Sequence, residues 1–132
     1  MNRANVNTLH SIDLGFVRYE LRADNVVIVR LQDELMIDLE KAEKMNETLI
    51  SITSGTPKKL LVFNGQFTSA DTEARTFLAS HSKLKQIEKC SVTIHSLSQR
   101  ILANFFIKVN KPPFPIRFFT SKEAAEKWLL KK

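Results

Sequence analysis

The sequence predicts an α/β fold: a single-domain mixed sheet of about five strands, in the order β-β-α-β-α-β-α-β-α, with the first strand antiparallel. Three observations predict it. Val26-Val27-Ile28-Val29 is an unbroken β-branched run, as expected of a strand covered on both faces. Apolar stripes at three- and four-residue spacing then alternate with short apolar strands. Each strand after the opening hairpin is reached through a helix, and such crossovers are right-handed and join parallel neighbours.

The elements follow in order. From Ser11 to Arg22 the apolar residues have period two, but Ile12, Leu14 and Phe16 are in one phase and Val17, Tyr19 and Leu21 in the other. The slip predicts a bulge, with Gly15 beside it to tolerate the kink. Ala23-Asp24-Asn25 turns the chain into the strand at Val26. Asp33 is placed to cap a helix whose stripe is Leu35, Leu39, Ala42, Met45, Leu49 and Ile52, stopped by Gly55 and Pro57. Lys59 to Phe63 is a short buried strand. Thr68 and Asp71 have capping-box spacing ahead of a stripe of Ala70, Ala74, Phe77, Leu78 and His81. Polar Ser82 to Lys89 continues or leaves this helix. Cys90, Val92 and Ile94 alternate with Ser91, Thr93 and His95 as a further strand. Ser96 and Gln99 form a second capping box, opening a helix through about Lys108. Pro112-Pro113-Phe114-Pro115 is stiff and extended. Ile116 to Phe119 is the last strand, and Thr120 with Glu123 caps a final helix carrying Ala124, Ala125, Trp128 and Leu129.

The 132 residues are enough for one core without a metal or disulfide staple. Residues 1–9 are expected to be a disordered N-terminal segment and 10–132 a single domain. A lone cysteine, Cys90, excludes an internal disulfide framework and a multi-cysteine zinc site, and fits a cytoplasmic setting. No apolar run reaches the roughly 18 residues of a membrane span. Net charge is +6, but residues 1–80 carry −2 and residues 81–132 carry +8. The lysines of the basic half are scattered and form no nucleic-acid motif, so they read as a solvated surface.

No catalytic constellation emerges. His10, His81 and His95 lack metal-ligand spacing, and the single glycine of Asn64-Gly65-Gln66 falls short of a phosphate-cradling loop. No Gly-x-Ser-x-Gly elbow is present. The reading is a non-enzyme without cofactor or metal, in which Cys90 is a buried structural thiol. The helix from Leu97 to Val109 is different. Ile101, Leu102, Phe105, Phe106 and Ile107 cover most of its circumference, which calls for cover on more than one side. A second subunit, giving a homodimer, or the Pro112 to Phe114 segment folding over it, would supply that cover.

The element order, ending in Phe118-Phe119-Thr120-Ser121-Lys122-Glu123-Ala124-Ala125-Glu126-Lys127-Trp128-Leu129, resembles the STAS domains of the SpoIIAA-like group, over roughly residues 10–130. The resemblance implies a regulatory, non-catalytic domain that recognises a partner protein. Anti-anti-sigma factors of that group carry a phosphorylatable serine after the third strand, in an Asp-Ser-Ser/Thr-Gly context. The matching stretch here is Gln66-Phe67-Thr68-Ser69-Ala70-Asp71, without the preceding Asp or the following Gly. Thr68, Ser69 and Asp71 are thus the candidate phosphorylation or partner site. The group is also similar in shape to CRAL-TRIO lipid-transfer domains, which implies an alternative role in binding a small apolar ligand or lipid near Phe105 and Phe106.

Crevices form at the carboxyl ends of parallel strands, so Asn64, Gly65, His95 and Ser96 are expected to share one. Ile101, Phe105 and Phe106 are the candidate interface or pocket. Weak nucleic-acid binding through the basic half is the third reading, and the least favoured of the three.

Overall fold

A computed structural model describes residues 7–56, 58–80 and 87–131. Its main sheet has six strands rather than five. β1 (Thr8–Asp13), β2 (Val17–Arg22), β3 (Val26–Leu31), β5 (Lys58–Phe63), β7 (Ile87–Thr93) and β8 (Ile116–Phe119) lie side by side in that order. β4 (Met36–Ile37) and β6 (Ser69–Ala70) form a separate two-stranded parallel ribbon. The helices are α1 (Leu39–Thr53), α2 (Thr72–Ser80), α3 (Leu97–Phe105) and α4 (Lys122–Leu130); a π-helical turn at Phe106–Asn110 continues α3.

The sixth strand comes from the phase slip at Gly15. Gly15 has φ +92°, and Leu14 N–H donates to Val17 O at 2.9 Å. The change of phase is therefore a hairpin turn between two strands, not a bulge within one. A left-handed glycine reverses the chain as readily as it kinks it. β1–β2–β3 is an antiparallel meander, and β3–β5–β7–β8 are all parallel, as the crossover argument requires. β1 begins at Thr8, so residues 8 and 9 of the segment expected to lack structure belong to the first strand; residues 1–6 lie outside the described residues.

Three caps differ from expectation. Leu35 to Ile37 enters the β4 ribbon, so α1 starts later and is capped by Asp38, whose Oδ1 accepts from Lys41 N–H at 2.9 Å. Asp33 instead accepts from Gln66 N–H at 2.8 Å. α2 is capped by Asp71 rather than Thr68, with Ala74 N–H donating to Asp71 Oδ1 at 2.9 Å. α4 is capped by Ser121 rather than Thr120. The pairing of β4 with β6 moved the starts of α1 and α2 by a few positions, and the start of α4 shifted by one residue; the capping chemistry stayed the same. His81 and most of the Ser82 to Lys89 stretch lie outside the described residues.

The strand order advances in one direction from β3 to β8. Right-handed crossovers therefore put α1, α2 and α3 on one face of the sheet and leave the other to α4. On the α4 face, Val26, Ile28 and Leu61 pack against Ala125 and Leu129, with Phe119 and Trp128 in contact at 5.9 Å between ring centroids. Ser91 is fully buried there, its hydroxyl donating to Ala125 O at 2.8 Å. On the opposite face Val27, Val29, Leu60, Cys90 and Val92 pack with Leu49 and Ile52 of α1. α2 packs between α1 and the turn at Phe106–Asn110.

Candidate functional site

The site forms where β5 and β7 end. Beyond Phe63 the chain passes Asn64 and Gly65, and Gly65 lies so close to the Gln32–Asp33 backbone that a Cβ would sit 2.6 Å from Gln32 C and O and Asp33 N. Only glycine permits that approach. Thr68 is 4% exposed, and its hydroxyl donates to Gln32 O at 2.8 Å, lacing the two loops together. From the neighbouring strand end, Ser96 caps α3 by accepting from Gln99 N–H at 3.1 Å. Gln99 then reaches inward. Its Oε1 accepts from His95 N–H at 2.7 Å, and its Nε2 donates to Gly65 O at 3.0 Å and Thr68 O at 3.1 Å. His95 Nε2 lies 2.7 Å from Asn64 O, so Nε2 is the protonated nitrogen of the ring. Asn64, Gly65, His95 and Ser96 are thus brought together as expected. The crevice between them is closed by the Gln99 amide.

The open space lies beneath. A cavity of about 220 Å³ lies between the sheet and parts of α1, α2, α3 and the π-helical turn. Its floor is Tyr19, Val29, Leu60, Val62, Cys90, Val92, Ile116 and Phe118; its roof includes Met45, Leu49, Leu78, Leu102, Ala103 and Phe106, with Phe114 closing one end. The wall is almost wholly apolar, because β3, β5 and β7 are β-branched and leucine-rich on this face. The two titratable groups of the floor are kept neutral. Burial raises the Tyr19 hydroxyl above its ordinary value, and it donates to Met45 O at 3.1 Å. Burial pushes the Cys90 thiol up to about 12.

Two of the polar side chains in the wall carry a buried atom without a hydrogen-bond partner. Asn46, buried on α1, lines the cavity with its Oδ1 lacking a hydrogen-bond partner. Arg75, on α2, also lines it. Its Nη1 donates to Ala70 O and its Nη2 to Thr72 Oγ1 at 3.2 Å, while its Nε is buried without a partner. A buried polar atom left unpaired costs about 1–3 kcal/mol, so both mark places where a ligand or water group gains a bond. Among the described residues no group of His, Cys, Asp and Glu could hold a metal ion, and no helix is long and apolar enough to cross a membrane.

A family model described as a domain of unknown function, DUF7793, matches residues 19–132. The chain belongs to the DUF7793 family. The search of curated proteins found no match. Among solved structures, this DUF7793 chain is similar to an uncharacterized protein of the DUF3478 family with a SpoIIAA-like fold from Shewanella loihica PV-4. The identity is 20%, the TM-score 0.54, and the match covers 86% of this chain and 91% of that one. The likeness shows the SpoIIAA-like fold that the element order and the terminal Phe118 to Leu129 pattern imply.

The remaining candidate residues of the DUF7793 chain divide. Ser69 lies in β6 and Thr68 is buried ahead of it, so neither sits on the free N–H groups of a helix start, where a phosphate would find its partners. Asp71 occupies that place itself as the α2 cap. Along α3 and the turn after it, Leu102 and Phe106 line the cavity, whereas Leu97, Ile101 and Phe105 are exposed, Leu97 at 73% and Ile101 at 61%. Of the three residues expected at an interface or pocket, Phe106 faces the cavity while Ile101 and Phe105 are exposed. Arg75 and Asn46 escaped sequence reading. The available signal was a polar residue set among stripe positions, Asn46 between Met45 and Leu49, and Arg75 beside Ala74 and Leu78.

Proposed function

We propose that this DUF7793 domain is a non-catalytic binding module that takes a small apolar molecule into the cavity between its sheet and α1–α3. The observation that carries this reading is the cavity itself. Interiors are normally packed to crystal density, and an apolar void of about 220 Å³ leaves many side chains without contacts on one side. A ligand restores them. The non-catalytic part is supported by Tyr19 and Cys90, which burial holds in their unreactive neutral forms, and by His95, whose Nε2 is engaged by Asn64 O.

The test is a titration of the protein with n-octanol, followed by amide shifts in two-dimensional NMR. Saturable shifts at Leu60, Val92, Leu102 and Phe106 support the reading, and Ala103→Phe, which fills the cavity from the roof, should abolish them. Shifts confined to the surface would overturn it.

A regulatory role in partner recognition is favoured by a second observation. Leu97, Ile101, Phe105 and Val109 form an exposed apolar strip on the outer side of α3 and the turn after it. A single helix then has one side on the ligand and the other on a partner, so occupancy of the cavity and docking outside are physically linked. Retention of a partner by the wild-type domain but not by Ile101→Lys supports this; equal retention by both speaks against it. Nucleic-acid binding ranks lower. Lys89 and Arg117 stand over the Trp128 ring, and Arg30 and Lys122 over Phe63, so these aromatic faces are capped by the chain's own cations instead of being offered to bases.

A further inference from the structure

The cavity has two chemically different ends. Toward the start of β7 and β8 it is closed by Ile87, Phe114 and Ile116, all apolar. Toward the carboxyl ends of β5 and β7 it meets Thr68, Ser69, Arg75 and Gln99. Thr68 and Gln99 are committed to backbone partners. Arg75 is not fully committed. Its guanidinium offers five N–H donors and gives hydrogen bonds only to one carbonyl and one hydroxyl. Among the described residues no carboxylate forms an ion pair with it, and Asp71, one turn before it, spends Oδ1 on the α2 cap. The guanidinium carbon lies 5.4 Å from the centroid of the Phe105 ring, a contact that leaves its charge without a counter-ion.

Resting on the binding reading above, we propose that the ligand is a medium-length aliphatic monocarboxylate, with its chain among the floor residues and its carboxylate on Arg75. An apolar tail matches the closed end, and an anion matches the uncompensated guanidinium, whose fork suits a carboxylate and binds it by charge-assisted bonds. Size sets the chain length. An engineered cavity of about 150 Å³ holds benzene, so this space takes roughly eight or nine carbon atoms, well short of a membrane lipid tail. A longer acid would have to leave its end outside.

The experiment compares octanoate, n-octanol and octylamine as ligands of the wild-type protein by calorimetric titration. Octanoate should bind about tenfold more tightly than octanol, the difference a charge-assisted bond supplies, and octylamine most weakly. The octanoate preference should shrink with added salt. Arg75→Met should erase the octanoate preference over octanol, and Arg75→Lys should restore part of it. If octanol binds wild-type protein as tightly as octanoate, the carboxylate assignment falls and the cavity reading stands. If none of the three binds, both fall. Because the three-ligand comparison is made on the wild-type chain, the result stands even where an Arg75 variant does not fold.

Discussion

Arg22 Nη1 lies 2.6 Å from Glu126 Oε1, joining two residues 104 positions apart in the chain. The same guanidinium donates from Nε and Nη2 to the two carboxylate oxygens of Asp24, at 3.1 and 2.8 Å. The end of β2 is thereby fastened to α4, on the sheet face that the other three helices leave uncovered.

This triad predicts an acid limb in stability. Burial by itself would raise the Asp24 carboxyl, but the hydrogen bonds and charge of Arg22 outweigh it and hold the group below its ordinary value. A carboxylate depressed in the folded state stabilises fully above its unfolded pKa of about 3.9, and that contribution is lost as pH falls through the folded value. Urea midpoints should therefore drop between about pH 5 and pH 2. Arg22→Met should flatten the slope and cost about 3 kcal/mol at neutral pH, since two partly buried carboxylates lose their partner. An unchanged slope in that variant would show the triad to be electrostatically idle.

Gln99→Ala should destabilise by about 2–4 kcal/mol, because Gly65 O, Thr68 O and His95 N–H all lose one partner in a buried place. Gln99→Glu should be no better, since it sets a carboxylate against two carbonyl oxygens. Chemical denaturation measures both.

Gly65→Ala tests the loop junction. The new methyl meets Gln32 and Asp33 backbone at 2.6 Å, and backbone yields less readily than a side-chain tip. A loss of about 1–3 kcal/mol is expected, the usual cost of overpacking. Gly15→Ala, with nothing within 4 Å, should be penalised only for its positive φ.

Cys90 should resist alkylation. Its thiol is buried and pushed up to about 12, so the reactive thiolate is scarce at neutral pH. Mass spectrometry after iodoacetamide at pH 8 should show no label on the native protein and full label in denaturant. The raised thiol also stabilises the fold only until pH climbs past the unfolded value of 9.0.

On the outer side of α3, Ile101→Lys should change stability by no more than about 0.5 kcal/mol, since the side chain is exposed. Leu61→Ala, at a fully buried position, should cost about 2–5 kcal/mol. Thermal denaturation of the two variants side by side separates a surface role for Ile101 from a structural one.

What local sequence determined is what local physics controls. Period-two and helical stripes set nearly every strand and helix, the Ser96–Gln99 box set the start of α3, and the element order with the Phe118 to Leu129 pattern pointed to the SpoIIAA-like fold. Crossover handedness then required parallel neighbours and brought Asn64 beside His95. Tertiary structure decided the rest, for reasons no window of neighbours contains. Whether Gly15 kinks or reverses the chain depends on which strand receives Ile12. Whether Asp33 or Asp38 caps α1 depends on Leu35 to Ile37 finding β6, more than thirty residues on. The cavity, and the position of Asn46 and Arg75 on its wall, comes from how far three helices stand from one sheet face, a distance that the side chains of all of them set together.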